Sequence, residues 1–250
     1  MSLVEVIIAV VITSILVAGA YKLYQYTMTS ANRERDKAQL QGSIITLTNI
    51  IEKDIRMAGC GLPGNGLQVN LHDNASDSLR LFTNESGRET KLTMALDPTL
   101  TRAIVDDATG FAIEGGICFA APGVDTVYRN IIRVGIQGAG NDTVDFDAAT
   151  NTTLSFPVNA PVYPAVCIRY TVSGTGSARV ISRARNNAVS PLGTDLDSIN
   201  LVPKDALGTP VVGVFKNVAV MTVVVGGHVG RGGNRVFIAD STEVNIRNRI

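Results

Sequence analysis

The stretch MSLVEVIIAVVITSILVAGA, residues 1–20, decides how the chain is read. Residues 6–20 carry no charge, and their only polar members, Thr13 and Ser14, can return their hydroxyls to helix carbonyls. With the flanking residues on both sides, the run reaches roughly 20–25 residues, about the span of a bilayer core. It lacks the basic start of a secretory signal and is longer than the apolar part of one. Residues 1–24 therefore read as a single membrane helix. Glu5 interrupts it. An acid deep in such a helix costs about 2.5–3.5 kcal/mol, and less near its end. Glu5 has two readings. It is hydrated at the interface and favoured there by the helix dipole, or it awaits a cation inside an apolar assembly. The free α-amine of Met1 on a neighbouring copy is the candidate cation.

The helical pattern continues through TSANRERDKAQLQGSIITLTNIIEKDIRMAG, residues 29–59, without proline. Leu40, Ile44, Leu47, Ile51, Ile55 and Ala58 recur at three- and four-residue spacing, which is one helix face. NRERDK is a solvated, mixed-charge face. Residues 25–58 are thus an amphipathic continuation of the membrane helix. A helix from Met1 to Ala58 is about 87 Å long at 1.5 Å per residue.

AGCGLPGNG (58–66) places Gly59, Gly61 and Gly64 at G-x-G-x-x-G spacing. A dinucleotide site needs a strand before this motif and a helix after it. Here a helix precedes and Pro63 follows, so the glycines read as a helix stop. Residues 59–250 form a β-rich globular part. Expected strands are SDSLRLFTN, GICFAA, NIIRVGIQG, DTVDFD, AVCIRYTVS, ARVISRAR, VAVMTVVVG, NRVFIAD and TEVNIRN. Residues 84–116 and 186–210 read as irregular. The fold class is α+β, one long helix laid on antiparallel sheet.

The 22 basic and 22 acidic residues cancel, which gives no electrostatic footprint for nucleic acid. Aromatic residues make up 5% and Trp is absent, which disfavours stacking platforms for bases or sugars. Of the three cysteines, Cys60, Cys118 and Cys167, none forms a C-x-x-C motif. Cys118 and Cys167 lie in strand-like runs and are the favoured pair for a disulfide.

The opening residues resemble the mature N-terminus of type IV pilins and pseudopilins. That family begins with an apolar or small residue, Thr or Ser, Leu, a branched aliphatic residue and Glu; here these are Met1, Ser2, Leu3, Val4 and Glu5. The resemblance implies a short basic leader ending in Gly, cut by a prepilin peptidase that also N-methylates residue 1. The sequence then reads as the processed form, with Met1 the methylated residue in place of the more usual Phe. Major pilins often have Pro where Lys22 stands. Gly19 is the one helix-weakening residue in the membrane stretch, at roughly 1 kcal/mol relative to Ala.

A finer resemblance is to PilW-type minor pilins, with the type II secretion pseudopilin GspJ a close relative. It rests on IEKDIRMAG at the helix end, SDSLRLF, CIRYTVSGTGSARVISRARNN, PVVGVFKNVAVMTVVVG and the closing VNIRNRI. It implies a pilin-like fold and a structural subunit, held in the bacterial inner membrane with its globular part in the periplasm. From there the subunit assembles into an extracellular pilus or its tip complex, where it serves adhesion, motility or secretion. Its partners are other pilin subunits, met through the N-terminal helix. Met1 and Glu5 carry that assembly, and residues 1–24 supply most of the attraction.

Two histidines, His72 and His228, have no metal-spaced partner, and hydrolase, Walker A and zincin motifs are absent, so no enzyme is expected. GAGNDTVDFDAATN (138–151) has two readings. Asp142, Asp145 and Asp147 offer hard oxygen ligands for calcium, the one cofactor considered. Alternatively the segment is a Gly/Asn hairpin turn leading into a strand with outward acids. GGHVGRGGNR (226–235) reads as a hairpin, and the sequons at Asn74, Asn84, Asn141 and Asn151 as polar loops. The competing functions are a GspJ-like pseudopilin, a main filament subunit, and a membrane-anchored periplasmic enzyme or calcium-binding adhesin.

Overall fold

The computed structural model describes residues 2–64, 66–70, 78–138, 141–174, 180–186, 188–194, 196–211, 218–229 and 236–246. Met1, His72, Asn74 and the closing residues 247–250 lie outside them.

One helix, α1 (Leu3–Met57), runs unbroken through Gly19 and Lys22. Residues 2–36 are exposed on every side, and the first buried side chain is Leu40. The packed portion is therefore shorter than the amphipathic half expected from residue 25, because NRERDK carries no apolar stripe. The free portion, residues 3–36, extends about 50 Å at 1.5 Å per residue. Its apolar window has a mean hydropathy of 2.6, and the helix is long and apolar enough to cross a membrane.

From Leu40 the helix packs against the globular part. Leu40, Ile44, Leu47, Ile51 and Ile55 are buried. Each buried aliphatic side chain contributes about 1.5–3 kcal/mol. They pack on a three-stranded antiparallel sheet in the order β11 (Leu196–Lys204), β12 (Val220–Val229), β13 (Val236–Asn245). Ile199, Leu201, Met221, Val223, Val225 and Val244 face the helix core from that sheet.

The larger sheet begins with β1 (Leu67–Asn70), β2 (Ser78–Thr83), β3 (Thr90–Lys91) and β4 (Arg102–Val105). It continues with β5 (Gly116–Ala121), β6 (Val124–Gly135), β7 (Asp142–Phe146), β8 (Pro161–Ser173), β9 (Val180–Arg185) and β10 (Ala188–Thr194). All pairs are antiparallel, and β8 belongs to two layers. Its second half pairs with β2 and β9 and supplies Ile168 and Tyr170 to the helix core. Its first half pairs with β5 and β3. From β5 the pairing runs to β6, β7 and β4, and a Leu92–Val105 bridge returns it to the β3 end. Six strands thus close a ring. Phe119, Phe146 and Phe156 fill it, with centroid separations of 5.3 and 5.6 Å from Phe119.

The α+β architecture matches the sequence reading, and the ring departs from it. The stretches read as irregular hold β3, β4, β10 and all of β11. The expected pair NRVFIAD and TEVNIRN is one strand, β13.

At the helix end Gly59 has φ 73° and donates its N–H to Phe82 O at 2.8 Å. No helix follows Gly64; β1 does. A side chain on Gly66 would meet Gly59 N at 2.3 Å, so the crossing of these two backbone segments requires glycine.

Candidate functional site

Two carboxylates lie in apolar stripes of α1, one at each end. At the N-terminus the Ser2 hydroxyl accepts from Val4 N–H at 3.2 Å, and Glu5 Oε2 accepts from Ser2 N–H at 2.8 Å. This is a capping box, which meets two of the helix's unpaired donors. Glu5 Oε1 has no partner among the described residues, and the surrounding side chains are exposed. Val6, Ala9, Val10, Thr13, Val17 and Tyr21 share one helix face along the apolar run. The Thr13 and Ser14 hydroxyls return to Ala9 O and Val10 O, both at 2.8 Å, and leave that face apolar.

At the other end Asp54 occupies the buried face between Ile51 and Ile55. Arg183 on β9 donates Nε–H to Oδ2 at 2.7 Å and an Nη2 hydrogen to Oδ1 at 3.1 Å. The hydroxyl of Tyr170, fully buried on β8, donates to the same Oδ2. Burial first, then the Asp54 carboxylate, pushes the Tyr170 phenol well above its usual range. The hydrogen bond to Asp54 raises Arg183 further and fixes it as a cation. The group locks the last helical turn to the sheet. None of these three residues is among the site residues expected from the sequence, although Asp54 stands there as an acid inside an apolar stripe.

The three aspartates weighed for calcium do not converge. Asp142 and Asp145 project from opposite faces of β7, and Asp147 lies beyond its end. Asp142 is buried rather than outward. Its carboxylate accepts from Ala108 N–H at 2.9 Å, Gln137 N–H at 2.7 Å and Gly138 N–H at 2.8 Å, which closes the β6–β7 turn. These backbone donors, Ala108 foremost, hold its carboxyl below the usual range. Asp145 takes a two-pronged contact from Arg102 at 2.5 and 3.0 Å. Asp147 accepts from Asn130 N–H at 3.1 Å. Among the described residues no three His, Cys, Asp or Glu side chains form a metal-sized group.

The expected Cys118–Cys167 disulfide is not formed; both thiols are free and buried, and Cys60 is exposed. Cys118 stands opposite Tyr163 on β8, and Cys167 is four residues farther along. At roughly 3.4 Å per residue that offset is about 14 Å, twice the Cα separation a disulfide spans. Both instead join Phe82, Tyr128 and Leu62 in one apolar cluster. His228 packs against Phe237 with centroids 4.9 Å apart and the rings tilted by 51°.

No family model, curated protein or solved structure matches the chain.

Proposed function

We propose that the chain is a pilin-like structural subunit of the PilW minor-pilin type. It is stored in the inner membrane by its apolar helix and assembled through that helix into a pilus or its tip complex. The observation that carries the reading is a continuous 55-residue helix divided by burial: free to residue 36, packed from Leu40. A membrane anchor alone needs only about 20 residues. The free helix continues well past that length, rigidly joined to the globular part by the Asp54 lock, and so suits lateral packing among like helices.

In this reading the Glu5 carboxylate turns from its own cap to the α-amine of Met1 on a neighbouring subunit. Apolar contact along residues 3–24 supplies the attraction, and the charge pair sets register. A buried pair adds little net stability, but removing one member leaves the other unpaired at about 3–5 kcal/mol. The globular part faces the periplasm before assembly and the outside afterwards. The subunit acts by association, without turnover. The test is Glu5→Ala: membrane fractionation should find the variant inserted, while purified filaments lack it. Filaments carrying the variant at the wild-type level would refute the proposal.

A further inference from the structure

β2 and β8 pair with Arg80 directly opposite Arg169. Leu79, Leu81, Ile168 and Tyr170 on the same strands point into the helix core, so alternation puts both arginines on the other face. Side chains so placed are about 5 Å apart at Cβ, and like charges in that position repel. On the adjoining strand β9, Arg183 holds Asp54 and Arg185 pairs with Glu85, while Arg129 on β6 is held by the carbonyls of Ala149 and Thr150.

Here Asp147 and Glu114 share the neighbourhood, but among the described residues neither makes a hydrogen-bonded ion pair with these two arginines. The carboxylate facing Arg80 is Asp147, with Nη1 and Oδ2 3.7 Å apart, longer than a hydrogen bond. Asp147 is also engaged by Asn130 N–H. Among the described residues Arg169 has no ion pair, and its buried Nε–H has no acceptor. Asn130 Oδ1 is likewise buried and unmet. A buried donor without an acceptor is disfavoured. The Cys167 thiol reports the same neighbourhood: burial lifts it to about 11, Arg169 and Arg80 pull it back, and Asp147 and Glu114 push it up.

We propose that Arg80 and Arg169 form a receptor for one oxyanion, a carboxylate or phosphate group carried by a molecule outside this chain. Guanidinium forks suit either group. An oxyanion between the two heads relieves their repulsion and, with a small turn of Arg169, gives its Nε–H an acceptor. The site is remote in sequence from the helix tip and does not depend on the assembly reading.

The experiment uses the full chain in detergent micelles with ¹⁵N-labelled arginine, at ionic strength held constant with sodium chloride. Inorganic phosphate and acetate are titrated separately while the arginine Nε–H resonances are followed. Arg169→Lys assigns the resonance. Expected is a saturable shift of the Arg169 signal, weakened about tenfold or more in Arg80→Gln. Saturation by phosphate alone marks a phosphate site, and by acetate alone a carboxylate site. Either result, or both, supports the receptor. Shifts that stay linear for both anions in the wild-type chain overturn it, whatever the variants do.

Discussion

Arg183 grips both oxygens of Asp54, bridging the last turns of α1 to β9 across 129 residues of sequence. The pair is largely shielded, with side-chain exposures of 26% and 11%. Removing the acid strands a guanidinium and the Tyr170 hydroxyl together. Asp54→Ala should therefore destabilise the globular part by about 3 kcal/mol, the lower end for a broken buried pair because Arg183 keeps some water. Asp54→Asn keeps an acceptor for Tyr170 and should lose less. Thermal melts of the full chain in detergent, followed by near-UV circular dichroism of tyrosine, measure both. Equal losses for Ala and Asn would remove Tyr170 from the account.

The turn closed by Asp142 makes a pH prediction. Its folded carboxyl titrates below the ordinary value of 3.8, held down by the N–H groups of Ala108, Gly138 and Gln137. Asp145, beside Arg102, shifts the same way. The unfolded chain then takes up protons first as the medium is acidified. The stability these groups add is complete above about pH 4–5 and is lost as pH falls through their folded values. Melting temperature should be flat from pH 7 to 5 and fall below pH 4. Asp142→Asn should melt lower at pH 7 and show a shallower acid slope. A variant with the wild-type slope would assign the acid sensitivity elsewhere.

Where the pattern was local, the fold was legible. Leu40, Ile44, Leu47, Ile51 and Ile55 announce a helix face by spacing alone, and GICFAA and AVCIRYTVS announce strands by their β-branched and apolar runs. The misses have physical causes. Pro191 and Gly193 sit within β10, where the register shifts, and this reads as turn chemistry in a sequence. Asp240 and Ser241 look like a break, but β13 lies at the end of its sheet's strand order, where polar residues are tolerated. The six-strand ring depends on one bridge between Leu92 and Val105, which no local pattern encodes. Asp54 was visible as an acid in an apolar stripe, but its partners are 116 and 129 residues away. The Cys118–Cys167 expectation used strand character without register, and register decided against it.

Gly116 tests the packing between the two layers that share β8. Phe82 lies across it to stack on Tyr128, ring centroids 5.2 Å apart at 18°. A Cβ at Gly116 would stand 2.5 Å from the Phe82 ring and 3.1 Å from Ala165 Cβ. Phe82 is fully buried and has no room to swing. Gly116→Ala should destabilise by about 1–3 kcal/mol, as overpacking does. Phe82→Leu in the same chain should recover part of the loss. Additive losses in the double variant would show that the two positions do not meet.

Thiol chemistry separates the three cysteines. Burial raises Cys118 strongly and Cys167 to about 11, so neither forms thiolate near neutral pH. Cys60 is exposed. Iodoacetamide at pH 8 should label Cys60 alone in the native chain and all three residues after denaturation, without reductant. Peptide mass spectrometry reads the sites directly. A Cys118–Cys167 cross-linked peptide would overturn the assignment.

The last prediction separates the two roles of Glu5. Its Oε2 already serves as the acceptor for Ser2 N–H, so loss of the side chain removes a cap as well as a charge. Glutamine retains a carbonyl at that position, and capping boxes accept Glu or Gln. Glu5→Gln should keep the helix start, visible as unchanged amide hydrogen exchange at Ser2 and Val4 in micelles. It cannot hold a neighbour's ammonium as a counter-ion. If charge pairing sets register, Gln should fail in filament incorporation as fully as Ala, although only Ala frays the first turn. If capping is the whole role, Gln should assemble normally and only Ala should fail. Filament content of the two variants, read beside their exchange rates, decides between a residue that ends a helix and one that joins two chains.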